Sequence, residues 1–143
     1  MRLNWVAGSI AGAVILTTAA AARITSTPLL QPMAEAEWQV GSGCYARDAR
    51  GRTLLAQEWS TEPAIIKIGG TLVRPGFPDG NLAFDGSREL RTADGRTVVR
   101  FANRRPLPER KGAHFSETRD RVDVTVTHDG VTERRTLTLA CGD

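Results

Sequence analysis

The sequence predicts an all-β domain, a small antiparallel β-sandwich or closed β-barrel of about eight short strands, behind an N-terminal signal or anchor segment and a short linker. Three observations carry this. Asp-Gly occurs at Asp79-Gly80, Asp85-Gly86, Asp94-Gly95 and Asp129-Gly130, and Gly69-Gly70 adds another site; such pairs tolerate the positive φ angles of tight hairpins. Residues 122–128 (VDVTVTH) alternate apolar and polar, as a half-buried strand demands. After Ala36 no apolar stripe of 3.6-residue period runs for the length of a helix.

The first segment, residues 1–22, has the three parts of a secretory leader. Arg2 gives the basic start, residues 6–16 (VAGSIAGAVIL) the apolar stretch, and residues 17–22 (TTAAAA) the small residues that signal peptidase requires. No cysteine follows, which excludes the lipoprotein route. The competing reading is an anchor retained over residues 3–22, since residues 5–22 carry no charge and approach the length of a bilayer span. Gly8 and Gly12 even have the spacing of a helix-pairing motif. Either way the remainder is expected outside the cytoplasm, periplasmic or secreted, with membrane contact only if the segment stays. Residues 23–37 read as the linker, because Pro28, Pro32 and several hydroxyl residues oppose regular structure, although one helical turn fits residues 33–38. Residues 38–143 are the single domain.

Within that domain, runs 65–68 and 71–74 flank the glycine pair, 88–92 and 96–101 flank Asp94-Gly95, and 122–128 and 131–141 flank Asp129-Gly130. A two-residue turn at the last site places Val122 opposite Leu137. It also places Val124 by Arg135 and Val126 by Glu133, so that end of the hairpin is expected to open to solvent. Cys44 and Cys141 are the only cysteines, without metal or CxxC spacing. They are expected to form a disulfide joining the first strand to the last. Strand parity puts Trp38, Val40, Cys44 and Ala46 on one face and Leu137, Leu139 and Cys141 on another, so both thiols point to the core.

Catalytic material is thin. His114 and His128 are the only histidines, and the nucleophile-elbow spacing is missing around Ser42. The cysteines and histidines are too scattered for zinc. Asp79, Asn81 and Asp85 superficially resemble a calcium loop, but Leu82 and Ala83 stand where oxygen ligands are needed. No phosphate loop or dinucleotide fingerprint occurs. No catalytic residue, metal or cofactor is therefore assigned; the alternative is a periplasmic enzyme or subunit using His114 or His128.

Binding features are more visible. Residues 103–112 (NRRPLPERKG) read as a stiff basic loop carrying Arg104, Arg105, Arg110 and Lys111 against Glu109. Phe77 stands isolated among turn formers, where an aromatic can anchor a ligand or cap the core. Tyr45 and Trp59 read as core or rim packing. The basic residues are 17 Arg and 2 Lys, yet the net charge of +3 is too small for a dedicated nucleic-acid binder. The expected function is a non-enzymatic binding, inhibitory or accessory module of the cell envelope. Its partner is expected to be an envelope protein or an anionic envelope component, and not nucleic acid. A membrane-anchored structural partner is the other alternative.

Overall fold

The computed structural model describes residues 27–38, 42–58, 63–76, 89–112 and 116–142. Strands form at β1 (Leu30–Gln31), β2 (Gly43–Arg47), β3 (Thr53–Glu58), β4 (Ile65–Ile68), β5 (Thr71–Val73), β6 (Glu89–Arg91), β7 (Thr97–Lys111), β8 (Ser116–His128) and β9 (Val131–Gly142). The one helix among the described residues is a single turn, α1 (Glu35–Trp38). All nine strands belong to one antiparallel sheet in the order β1-β4-β3-β2-β9-β8-β7-β6, with β5 on the other side of β4. The sheet curls into a half-barrel around a single main core.

Its two flanks touch at an isolated bridge between Gly76 and Arg91, where reciprocal N–H···O bonds measure 2.8 and 2.7 Å. Among the described residues no helix is long and apolar enough to cross a membrane.

Turn chemistry sets the registers. Asp129 and Gly130 both take positive φ, 48° and 81°, and join β8 to β9 with Val122 opposite Leu137. Gly69 and Gly70 do the same for β4 and β5. Alternation then sends Val122, Val124 and Val126 inward to meet Val99, Phe101, Leu137 and Leu139.

Cys44 and Cys141 are register partners on β2 and β9 and are disulfide-bonded, with Cα atoms 4.1 Å apart. The bond spans 97 positions of sequence and ties β9, the last described strand, to β2 rather than to the first strand, because β1 forms ahead of it in the expected linker. Beside it, Gly43 and Gly142 are also partners, and a Cβ on Gly43 would lie 2.1 Å from the Gln57 carbonyl oxygen. Only glycine lets β2 and β3 approach so closely.

Four expectations change. Trp38 leaves the inner face; it sits in α1 and packs edge-on against Tyr45, ring centroids 5.0 Å apart, over a second cluster of Met33, Ala56 and Ile65 on the outer face. The expected linker is, from Leu29 on, part of the fold: Leu30 pairs with Ile68 and is 1% exposed.

The Glu133 end of the hairpin does not simply open to water. The Glu133 carboxylate accepts the backbone N–H groups of Leu29 and Leu30 and pairs with Arg135, so two inward charges are satisfied by the incoming chain.

Finally, residues 103–111 are not a loop. They continue β7, paired with β8, and lengthen that strand to 15 residues.

Candidate functional site

The extension of β7 is made possible by two bulges. Between Ala102 and Arg105, β7 spends two residues against Val122 alone, and Asn103 takes a positive φ of 53°. A short polar side chain tolerates that conformation. The extra residue resets strand parity, so Arg104 turns inward to reach Asp120 at 2.6 Å while Arg105 turns outward opposite Arg121. A second shift, at Pro108 and Glu109, keeps Arg110 on the outer face opposite Glu117. A bulge also accommodates a proline, which has no N–H to give the ladder.

The outer face of the sheet then reads in rows across the strands. Arg105, Arg121, Thr138 and Arg47 form one row; Leu107, Arg119, Ala140 and Tyr45 form the next. Arg105, Arg110 and Arg121 are exposed and have no ion pair among the described residues. Arg119 approaches Glu117 only to 4.0 Å, and the Arg47 guanidinium lies 5.5 Å from the Tyr45 ring centroid. Asn103, Arg104, Arg105 and Asp123 surround a shallow depression of about 460 Å³ at the edge of this face.

Toward the β8–β9 turn the same face looks different, because every described arginine there has a carboxylate. Arg134 and Asn103 both donate to Asp123 Oδ2, at 2.7 and 2.8 Å, and Thr136 donates to Oδ1 at 2.8 Å. The hydrogen bond from Asn103, then those from Arg134 and Thr136, hold the Asp123 carboxyl far below the usual carboxylate range. Arg100 and Arg91 share Glu89, and Arg96 grips Asp129 with two bonds of 2.6 Å. The Glu89 and Asp129 carboxyls are lowered in turn, each chiefly by an arginine hydrogen bond.

The sequence-derived candidates divide accordingly. Arg105 and Arg110 lie on the open face. Arg104 is bound to Asp120, which is 7% exposed, and Lys111 pairs with Glu109 at 3.1 Å. Phe77, His114, Trp59 and the Asp79–Asp85 segment lie outside the described residues. Arg121, Arg119 and Arg47 were missed, although Arg119-Asp120-Arg121 alternates with the inward Val122 and so advertises an outward pair.

His128 is the other candidate group. Its Nδ1 shares a hydrogen bond with Thr97 Oγ1 at 2.8 Å and its Nε2 lies 3.3 Å from Asp129. A hydroxyl, an imidazole and a carboxylate in contact suggest acid–base chemistry, but Thr97 is 1% exposed and cannot meet a substrate. The cluster fastens the ends of β7 and β8 together. Nearby, a cleft of about 530 Å³ opens between Leu29, Ile68, Val73 and Arg96, with no uncompensated charge in it. Among the described residues no three His, Cys, Asp or Glu side chains are grouped to hold a metal. No protein-family model, curated protein or solved structure matches this chain.

Proposed function

We propose that the protein is an exported, non-enzymatic binding module of the cell envelope that engages an anionic partner through the outer face of β7 and β8 at the disulfide end. The observation that carries this reading is the register of Arg105 against Arg121, two exposed like charges directly opposite each other with no carboxylate in their row. Such a pair is unfavourable within the fold and favourable only toward an anion. Export is supported by the leader-like residues 1–22 and by a disulfide, which needs an oxidising compartment to persist. Retention of that segment would leave the domain on the membrane; cleavage would release it.

The scaffold is best read as an eight-strand barrel, β2 to β9 in chain order, with the Gly76–Arg91 bridge as its seam. A closed barrel holds the bulged β7–β8 hairpin rigid, so little entropy is lost when the face is occupied.

The test is binding of the chain from residue 23 to a soluble polyanion at increasing salt. Affinity should fall steeply, since exposed charges are screened over about 10 Å at 0.1 M salt. The triple variant Arg105→Gln, Arg110→Gln, Arg121→Gln should lose that affinity and its salt dependence. Wild-type binding by the triple variant would refute the reading.

A further inference from the structure

Resting on that reading, we infer that the Arg105–Arg121–Thr138 row receives the phosphate monoester groups of a phosphorylated polysaccharide. Two guanidinium forks stand on neighbouring strands as register partners, with Cα atoms roughly 5 Å apart for directly opposed residues. The Thr138 hydroxyl is the next position along the same row, one strand further on. A carboxylate has two oxygens and is saturated by one fork. A phosphate monoester offers three acceptor oxygens and close to two charges, so both forks can bind it together with a hydroxyl. The depression beside Arg105 gives such a group room, and Asp123 at its rim is already occupied by Asn103, Arg134 and Thr136.

The surroundings select the carrier. Among the described residues the exposed large apolar side chains are Leu72 and Val131. Both follow the tight turns at the other end of the sheet, Gly69-Gly70 and Asp129-Gly130. Among the described residues the arginine face therefore presents no exposed large apolar side chain of the kind that inserts into a bilayer or anchors a protein interface. Single-stranded nucleic acid needs free aromatic platforms. Tyr45 has Trp38 at 5.0 Å against its ring and Arg47 at 5.5 Å over it. A hydrophilic chain bearing spaced phosphates fits what remains. Arg47, three strands from Arg105 in the same row, lies on the order of 14 Å away and would meet a second group of that chain.

The experiment compares one glucan, of fixed length and substitution, carrying phosphate, sulfate or carboxymethyl groups, titrated into the chain from residue 23. The phosphate form should bind at least roughly tenfold more tightly than the other two, the effect of one additional charge-assisted fork. Arg105→Gln and Arg121→Gln should each erase that preference, and Arg121→Lys should not restore it, because an ammonium keeps the charge without the fork. Arg96→Gln, which frees only Asp129 at the far turn, should keep it. Thermal melting of each variant separates lost binding from lost folding; Arg121→Gln should melt no lower than wild type. Equal affinity for the three glucans overturns the phosphate assignment and leaves the anion-binding reading standing. Failure of all three to bind overturns both. Tighter binding to anionic phospholipid vesicles or single-stranded DNA, at equal phosphate concentration, overturns the polysaccharide assignment.

Discussion

The outer face of the β7–β8–β9 hairpins has two halves built from the same residue types and put to opposite uses. Near the Asp129-Gly130 turn, Arg134 and Arg100 each meet a carboxylate on a neighbouring strand, and Arg96 meets Asp129 in the turn itself. At the disulfide end, Arg105 and Arg121 meet each other. Composition alone cannot tell these apart, since both halves are arginine-rich; the register decides. An arginine that bonds a nearby carboxylate belongs to the fold's own electrostatics. One whose neighbour is another arginine is held in readiness for something outside.

The largest effect is expected from removing the bond that closes the crowded half. Cys44→Ser or Cys141→Ser should each cost up to about 4.7 kcal/mol in the chain-entropy treatment of a loop near 100 residues, and the double variant little more. Hydrogen exchange on either variant should show amides near Gly142 and Glu117 losing protection before those near the β8–β9 turn. Simultaneous loss would mean that the two halves are one cooperative unit and that the bond does not specifically hold the arginine end.

Next comes the bulge that creates the difference. Asn103→Val places a β-branched residue at φ 53° and should cost about 1–3 kcal/mol by the strain of a left-handed conformation. Anion binding should fall with it, because Arg105 depends on the reset parity. Asn103→Gly keeps the conformation and should keep the binding. Equal binding by all three proteins would separate the face from the bulge.

Acid should blur the two halves. The Asp123, Glu89 and Asp129 carboxyls are all lowered in the folded protein by arginine and other donors. Their stabilisation is complete above the unfolded carboxylate range, about pH 4, and is lost as pH falls below it, because the unfolded chain then takes up more protons. Denaturant midpoints should therefore hold between pH 5 and 7 and drop below about pH 4. Asp123→Asn should flatten part of that drop. An unchanged profile would show that the carboxylates of the paired half contribute little.

The smallest effect runs in the other direction. Arg121→Gln relieves a directly opposed like charge and should raise stability by about 0.2–1 kcal/mol at low salt. A variant that is more stable yet binds less is the signature of a residue kept for function. Destabilisation would instead give Arg121 a structural role.

Much of the scaffold could be read from local chemistry. Gly69-Gly70 and Asp129-Gly130 specify their hairpins without help from distant contacts, and the valines of residues 122–126 specify their face. What lay beyond reach depended on two strands at once. Residues 103–111 carry two prolines and a run of charge, which read as a loop until β8 is placed beside them and two bulges absorb the mismatch. Trp38 and Met33 look like inner-face or linker residues, but the sheet's curl leaves an apolar outer patch at Ala56 and Ile65 that they cover. Arg105 and Arg121 are 16 positions apart in the sequence, and only register makes them neighbours.

The central claim is that the guanidinium groups without carboxylate partners form the binding face. It is tested most directly by titrating the isotopically labelled chain with a short phosphorylated glucan and following the backbone amide resonances. The predicted result is a continuous patch of shifts over Arg105, Arg119, Arg121 and Thr138, with Arg100, Arg134 and the Asp129 turn unmoved. Shifts centred on the turn and the Arg96–His128 cleft, with the Arg105–Arg121 row silent, would contradict it.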